Sequence, residues 1–175
     1  MRFSGLEMVM RVLPIVCALG LGLATMASSV SGQTADNVIK PNSVALQRQG
    51  EAALAAGQFG AADDLLETAL IADPRNRGAF VSLARVATKQ KLYGQAIQFT
   101  NKALLLEPND LTALSVQGEA MVEMGAVARA QQNLAKLKTL CGAKACAPAN
   151  SLAAVIARGP AVAQRAPAAS APKKN

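Results

Sequence analysis

The chain has 175 residues, 51% hydrophobic but only 3% aromatic and 17% charged, with neither Trp nor His. That length fits one modest domain, for which the composition favours helices, and the lack of His removes imidazole bases, Ser-His and Cys-His nucleophile pairs, haem attachment and His-containing metal sites. Eighteen Lys and Arg against eleven Asp and Glu give +7, so the placement of charge decides whether nucleic acid or an anionic membrane is a fitting partner.

The N-terminus reads as a targeting segment. Arg2 and Arg11 precede an uncharged apolar run over 12–24, which gives way to small and polar residues over 25–33. A basic start, an apolar middle and small residues for a peptidase form the pattern of a secretory signal. Cleavage after Ala27 or Ser31 both fit, and Met8 or Met10 would serve as a start in place of Met1. The alternative is an anchor in the inner membrane, but the apolar core is short of the roughly 20 residues that cross a bilayer. Cys17 lies inside the run after Pro14, Ile15 and Val16, without the small residue that precedes a lipidated cysteine. The expectation is a signal peptide over 1–31 and a periplasmic or secreted chain, followed by a flexible leader over 32–42.

Without 1–31, sixteen basic and ten acidic residues remain, and between 33 and 157 the count is twelve against ten. Such a balance offers no basic stripe for phosphates, so nucleic acid is not expected. Four cations, Arg158, Arg165, Lys173 and Lys174, are assigned to a solvated tail after the last structured segment.

The middle of the chain repeats with a period of 34. Pro74 and Pro108 are one period apart, as are Phe59 and Tyr93, Ala62 and Ala96, Ala69 and Ala103, and Leu70 and Leu104. A third copy keeps Gly125, Val127, Ala130 and Leu134 in phase and then diverges. Within each copy apolar residues recur at spacings of three and four, which predicts two amphipathic helices joined by a turn. Small residues at Gly50, Ala62 and Ala69 let the paired helices approach closely, and the prolines end the second helix. One hairpin cannot bury its own apolar face, so neighbours must stack on it.

These residues resemble the tetratricopeptide repeat family. Its pattern is met by a small residue at the eighth position (Gly50, Ala84, Gly118), an aromatic after the turn (Phe59, Tyr93), Ala at the twentieth and twenty-seventh (Ala62 and Ala69, Ala96 and Ala103) and Pro at the thirty-second. Repeats 43–76 and 77–110 match well. In 111–144, Val127 replaces the aromatic, Leu137 the Ala, and Gly142 stands in place of Pro. The resemblance implies an all-α, right-handed α-solenoid of about three helix-turn-helix repeats.

Beyond the repeats, Asn150 reads as an N-cap and Gly159 as a stop, so 145–159 holds a short capping helix. Residues 160–175 are Ala- and Pro-rich, basic and expected to be disordered. Cys141 and Cys146 are the two cysteines left after signal removal. An even count in an exported chain predicts a structural disulfide; four intervening residues and no His suit neither a thioredoxin-like pair nor zinc.

The resemblance also implies a concave face lined by the first helix of each repeat, where another protein or a peptide segment binds. By register its residues are Gln47, Glu51, Leu54, Val81, Arg85, Thr88, Lys89, Ser115, Glu119, Val122 and Glu123. Arg85 and Lys89 share a face one turn apart, flanked by Glu51 and by Glu119 and Glu123, an alternation suited to a partner of mixed charge. The alternative is a set of solvated helix faces. Family members that grip a C-terminal carboxylate carry Asn and Lys where Glu51 and Arg85 stand here. The sequence shows no nucleophile with a base, no phosphate loop and no acid pair in a cleft, Asp63 and Asp64 diverging on one helix. The expected function is therefore a non-catalytic protein-interaction module, a scaffold or assembly factor of the cell envelope, without cofactor, metal or small-molecule substrate. The alternative is a protein tethered to envelope or polyanion through its basic tail, by weak contact with a membrane surface.

Overall fold

Seven helices follow one another without a strand among residues 38–161, which are those that the computed structural model describes. They are α1 (Pro41–Ala55), α2 (Phe59–Ala72), α3 (Arg77–Lys89), α4 (Tyr93–Leu106), α5 (Leu111–Glu123), α6 (Val127–Cys141) and α7 (Ala147–Arg158). The expected signal segment 1–31, the leader up to residue 37 and the tail from residue 162 lie outside the described residues. The helices from α1 to α6 form three antiparallel hairpins, each first helix packing on its own second and each second helix on the next first.

Local chemistry sets the ends of these helices. Asp73 and Glu107 leave α2 and α4 in extended conformation, the conformation favoured before proline, because the ring of Pro74 or Pro108 crowds a helical predecessor. Asn76 and Asp110, one period apart, then cap α3 and α5, their side chains accepting from the amides of Ala79 at 3.1 Å and Ala113 at 2.6 Å. The hairpin turns place Gly57, Lys91 and Gly125 at φ of 75°, 64° and 81°, and Gly159 after α7 at 72°. Lys91 thus holds a left-handed conformation that costs about 1 kcal/mol without glycine's freedom.

Close approach gives the core its form. Ala62, Ala69, Ala96, Ala103 and Ala130 are fully buried at the crossings of paired helices. At Gly50 a Cβ would lie 2.6 Å from Leu66 Cγ and 3.3 Å from the Ala62 carbonyl oxygen, so the helix backbone itself forms the floor for Leu66. Three apolar clusters result. One joins α1, α2 and α3 around Leu66 and Leu83; a second joins α3, α4 and α5 around Val81, Ala84 and Val116; a third joins α5, α6 and α7 around Val122, Leu137 and Leu152.

The first helix starts earlier than the sequence indicates. Pro41 and Asn42, read as flexible leader, are the first residues of α1, since proline at a helix start has its φ preset and lacks the amide that would go unbonded. The preceding residue is held as well: the Lys40 amide donates to Asp73 Oδ2 at 3.0 Å. The Asp73 carboxylate also accepts from Arg75, through Nε at 3.1 Å, Nη2 at 3.0 Å and the amide at 3.0 Å. Beside it, Ser43 Oγ donates to the Ala69 carbonyl at 2.7 Å and accepts from Asn76 Nδ2 at 2.9 Å. These bonds tie the start of α1 to the end of α2 and the turn after it.

Two outcomes follow for stability. Gly50→Val, which must displace Leu66, is expected to lower the unfolding free energy by about 1 to 3 kcal/mol; Gly60→Ala, where a Cβ meets nothing within 4 Å, is expected to change it by less than about 1 kcal/mol, in the stabilising direction. Urea titrations followed by circular dichroism compare the two. The Arg75 guanidinium, then the Lys40 amide, hold the Asp73 carboxyl far below the usual carboxylate range. A depressed folded-state pKa adds stability above the unfolded value near 4 and loses it as pH falls toward the folded one. Asp73→Asn is therefore expected to lower the melting temperature at pH 7, with the gap to the parent narrowing steadily below pH 4.

Candidate functional site

The first helices α1, α3 and α5 and the final helix α7 line a groove over the face that the second helices leave open. Two recesses in it, of about 340 and about 460 Å³, share Arg85, Lys89, Val116 and Glu119. The α3 wall carries Arg85 and Lys89, the floor is α5 with Thr112 and Val116, and the far wall is α7 with Ala147, Pro148 and Val155. Leu54 of α1 reaches the second recess.

The structure sorts the expected groove residues by their partners. Glu51 Oε1 accepts from Gln47 Nε2 at 2.9 Å and from Ser82 Oγ at 2.8 Å, so the two polar residues expected from α1 bond within the protein. Thr88 donates its hydroxyl to the Ala84 carbonyl of its own helix. Ser115 is buried, with Oγ 3.0 Å from the Pro148 carbonyl oxygen and 3.2 Å from Glu119 Oε1. Glu119 accepts from Ser151 Oγ at 2.9 Å, while Glu123 accepts from the Ala161 amide at 3.0 Å and faces Arg158 at 3.7 Å. Arg85 and Lys89 are exposed, and neither side chain forms an ion pair or hydrogen bond among the described residues. The alternation of charge read from sequence thus becomes one of state: the flanking acids are satisfied internally and the central cations are left open.

Val122 corrects the sequence reading. It is 0% exposed, packed with Leu114, Leu137 and Leu152 in the third cluster, and cannot touch a partner. Its counterparts by register, Leu54 and Thr88, remain half-exposed; the difference is α7, which covers this position only in the last repeat. Val81 is also buried, at 5%, and contributes to the core more than to the groove.

The packing of α7 explains both results. Gly159 continues the left-handed turn positions 57, 91 and 125 at the same spacing, so α7 has the register of a fourth repeat's first helix. Its roll is different. Ala79, Leu83 and Val86 of α3, and Ala113, Gln117 and Ala120 of α5, are buried, whereas their equivalents Ala147, Ser151 and Ala154 are exposed. Instead α7 buries Ala149 and Leu152 and half-buries Val155 and Ile156, the stripe to which a second helix would bind. It is turned by roughly a third of a turn relative to α3 and α5. Among the described residues no second helix follows it, and covering Leu152, Val155 and Ile156 removes more apolar surface from water than covering two alanines and a serine. Leu152 meets α5 at Gly118, where a Cβ would lie 2.6 Å from Leu152 Cδ2.

Sequence reasoning placed Arg158 among solvated tail cations, yet it ends α7 and faces Glu123. Continuation of the period to Gly159 was the available signal. Cys141 and Cys146 form a disulfide, with Cα atoms 6.0 Å apart, which ties the end of α6 to the residue before α7. Among the described residues no group of three Cys, Asp or Glu side chains could hold a metal ion.

A stack of helical hairpins with a groove along its first helices defines a helical-repeat protein. Residues 53–119 match the family model described as tetratricopeptide repeat. No match is found among curated protein sequences. Solved structures agree on the fold. The first tetratricopeptide domain of Spaghetti (RPAP3), bound to an HSP90 peptide, is 19% identical with a TM-score of 0.62, covering 71% of this chain and 97% of that one. The Sgt2 domain from Aspergillus fumigatus is 23% identical with a TM-score of 0.62, covering 68% and 79%. The second domain of human RPAP3, in complex with an HSP70 peptide, is 19% identical with a TM-score of 0.59, covering 66% and 95%.

Opening the disulfide tests the hold on α7. Reduction is expected to cost about 2 kcal/mol of stability, the loop entropy of so short a closure, and to speed amide exchange across 147–158 well before that in α3 and α4. Hydrogen exchange by mass spectrometry on oxidised and reduced protein reads both.

Proposed function

We propose that this chain is a non-catalytic protein-interaction module that holds a segment of a partner protein in the groove between α3 and α7. The observation that carries the reading is the state of the groove's charges: Arg85 and Lys89 are exposed and unpaired, while the acids around them are bonded within the protein. An open cation pair on a rigid helix attracts an acidic partner and fixes its register. Structures of the same fold hold the HSP90 peptide SRMEEVD and the HSP70 peptide SGPTIEEVD, which supports a peptide as the kind of ligand. The signal-like N-terminus and the disulfide support a place in the bacterial envelope or outside the cell, as a scaffold or assembly factor there.

Affinity capture from a cell-envelope extract tests this. The exported chain is expected to retain a partner that an Arg85→Glu/Lys89→Glu variant, shown by circular dichroism to be folded, retains roughly tenfold less or not at all. A variant lacking 162–175 is expected to capture the same partner as the parent. Equal capture by parent and charge-reversed variant removes the groove from the function, and loss of capture on removing the tail assigns it to the tail.

A further inference from the structure

The groove has two unlike walls. On α3, Arg85 and Lys89 stand one helical turn apart, about 6 Å along the axis. Opposite them α7 shows Ala147, Pro148 and Val155, small or apolar side chains, with Ser151 bonded to Glu119 and its one charge, Arg158, at the helix end facing Glu123. The α7 wall takes this form because the helix is rolled. The stripe with Leu152 is turned inward, and the stripe that α3 and α5 bury is presented outward. The floor is Val116, apolar and nearly covered, with Thr112 beside it. The one acid at the centre of the floor, Glu119, is bonded by Ser151.

We infer that the groove selects an extended segment in which acidic side chains alternate with small apolar ones. The inference rests on the peptide-binding reading above and specifies its ligand. In an extended chain successive side chains point to opposite sides, and residues two apart on one side are about 6.8 Å from each other. That spacing matches the rise between Arg85 and Lys89, so carboxylates at i and i+2 meet the two cations together. The residue between them points at α7, where a small apolar side chain fits against Ala147, Pro148 and Val155 and a charge would lose its water without gaining a partner. A helical segment would place carboxylates at this spacing only four residues apart, and its girth of about 10 Å exceeds that of a single strand. The selected motif is thus internal acid, small apolar, internal acid. Because both cations are matched by side chains, it has no need of a free C-terminus.

Fluorescence anisotropy with two labelled peptides of about ten residues, blocked at both ends, tests the inference on the full exported chain. One peptide alternates aspartate with alanine and valine; the other has the same composition with the acids grouped in a block. The alternating peptide is expected to bind about tenfold more tightly, a difference of about 1.4 kcal/mol. Arg85→Glu is expected to abolish that preference. Ala147→Glu puts a carboxylate on the opposite wall at an exposed helix start, where an acid favours the helix, and is expected to weaken the alternating peptide at least about fivefold. Equal affinity for both peptides, or binding of neither, overturns the inference. If capture from the extract still depends on Arg85 and Lys89 while the two peptides bind alike, the interaction module stands and the alternating motif falls.

Discussion

Close contact between helix backbones is the constraint on which this molecule depends. Leu66 seats on Gly50 and Leu152 on Gly118, and fully buried alanines line the crossings of every hairpin. With so few aromatic residues, the core cannot be filled by bulk. It is filled by bringing the elements together until short side chains touch. Dispersion between close-packed atoms then does what large rings do elsewhere, and each missing or added methyl group is felt directly. The groove inherits this rigidity, because the first helices that line it are the same helices whose opposite faces are locked in the core.

The other determinant is that, among the described residues, no second helix packs on α7. An array of this kind is held by contacts between adjacent elements, so its last helix faces a choice that inner helices do not. The inner first helices bury one stripe on the preceding repeat and another on their own second helix. With no second helix of its own among the described residues, α7 buries the more apolar stripe. That choice changes the groove as well as the core: it covers Val122, brings Ser151, Arg158 and Ala161 to Glu119 and Glu123, and leaves Arg85 and Lys89 as the open charges. The character of the binding surface is in this sense a by-product of how the end is sealed.

Much of the fold was legible because its signals are local and repeated. The 34-residue period, the small residues and the prolines locate the hairpins, for they depend on sterics within a turn or between adjacent helices. The cysteine pair was legible by its count and context. The roll of α7 was not, because it depends on which neighbours are present and not on any residue inside the helix. Val122 was misplaced for the same reason: its register equals that of Leu54 and Thr88, and nothing within α5 tells that a further helix lies over it. Glu119 and Glu123 read as charges offered to a partner, since a sequence shows the sign of a side chain but not whether Ser151 or the Ala161 amide already holds it. The left-handed Lys91 lacks the glycine that marks Gly57 and Gly125, and only alignment by period would expose it.

The rolled end also sets a rule for lengthening the molecule. Position 161 lies one period beyond the starts of α2, α4 and α6, so a further hairpin could be grafted there without a change of spacing. The graft would nonetheless meet a helix facing the wrong way. Its new second helix would compete with α5 and α6 for Leu152, and if α7 turned to receive it, Ala147, Ser151 and Ala154 would be too small to fill the space now taken by the apolar stripe. Extension by design therefore begins by enlarging those three positions toward the Leu83 and Val86 of α3. Whether another hairpin can stack here is thus decided by one helix's choice of face.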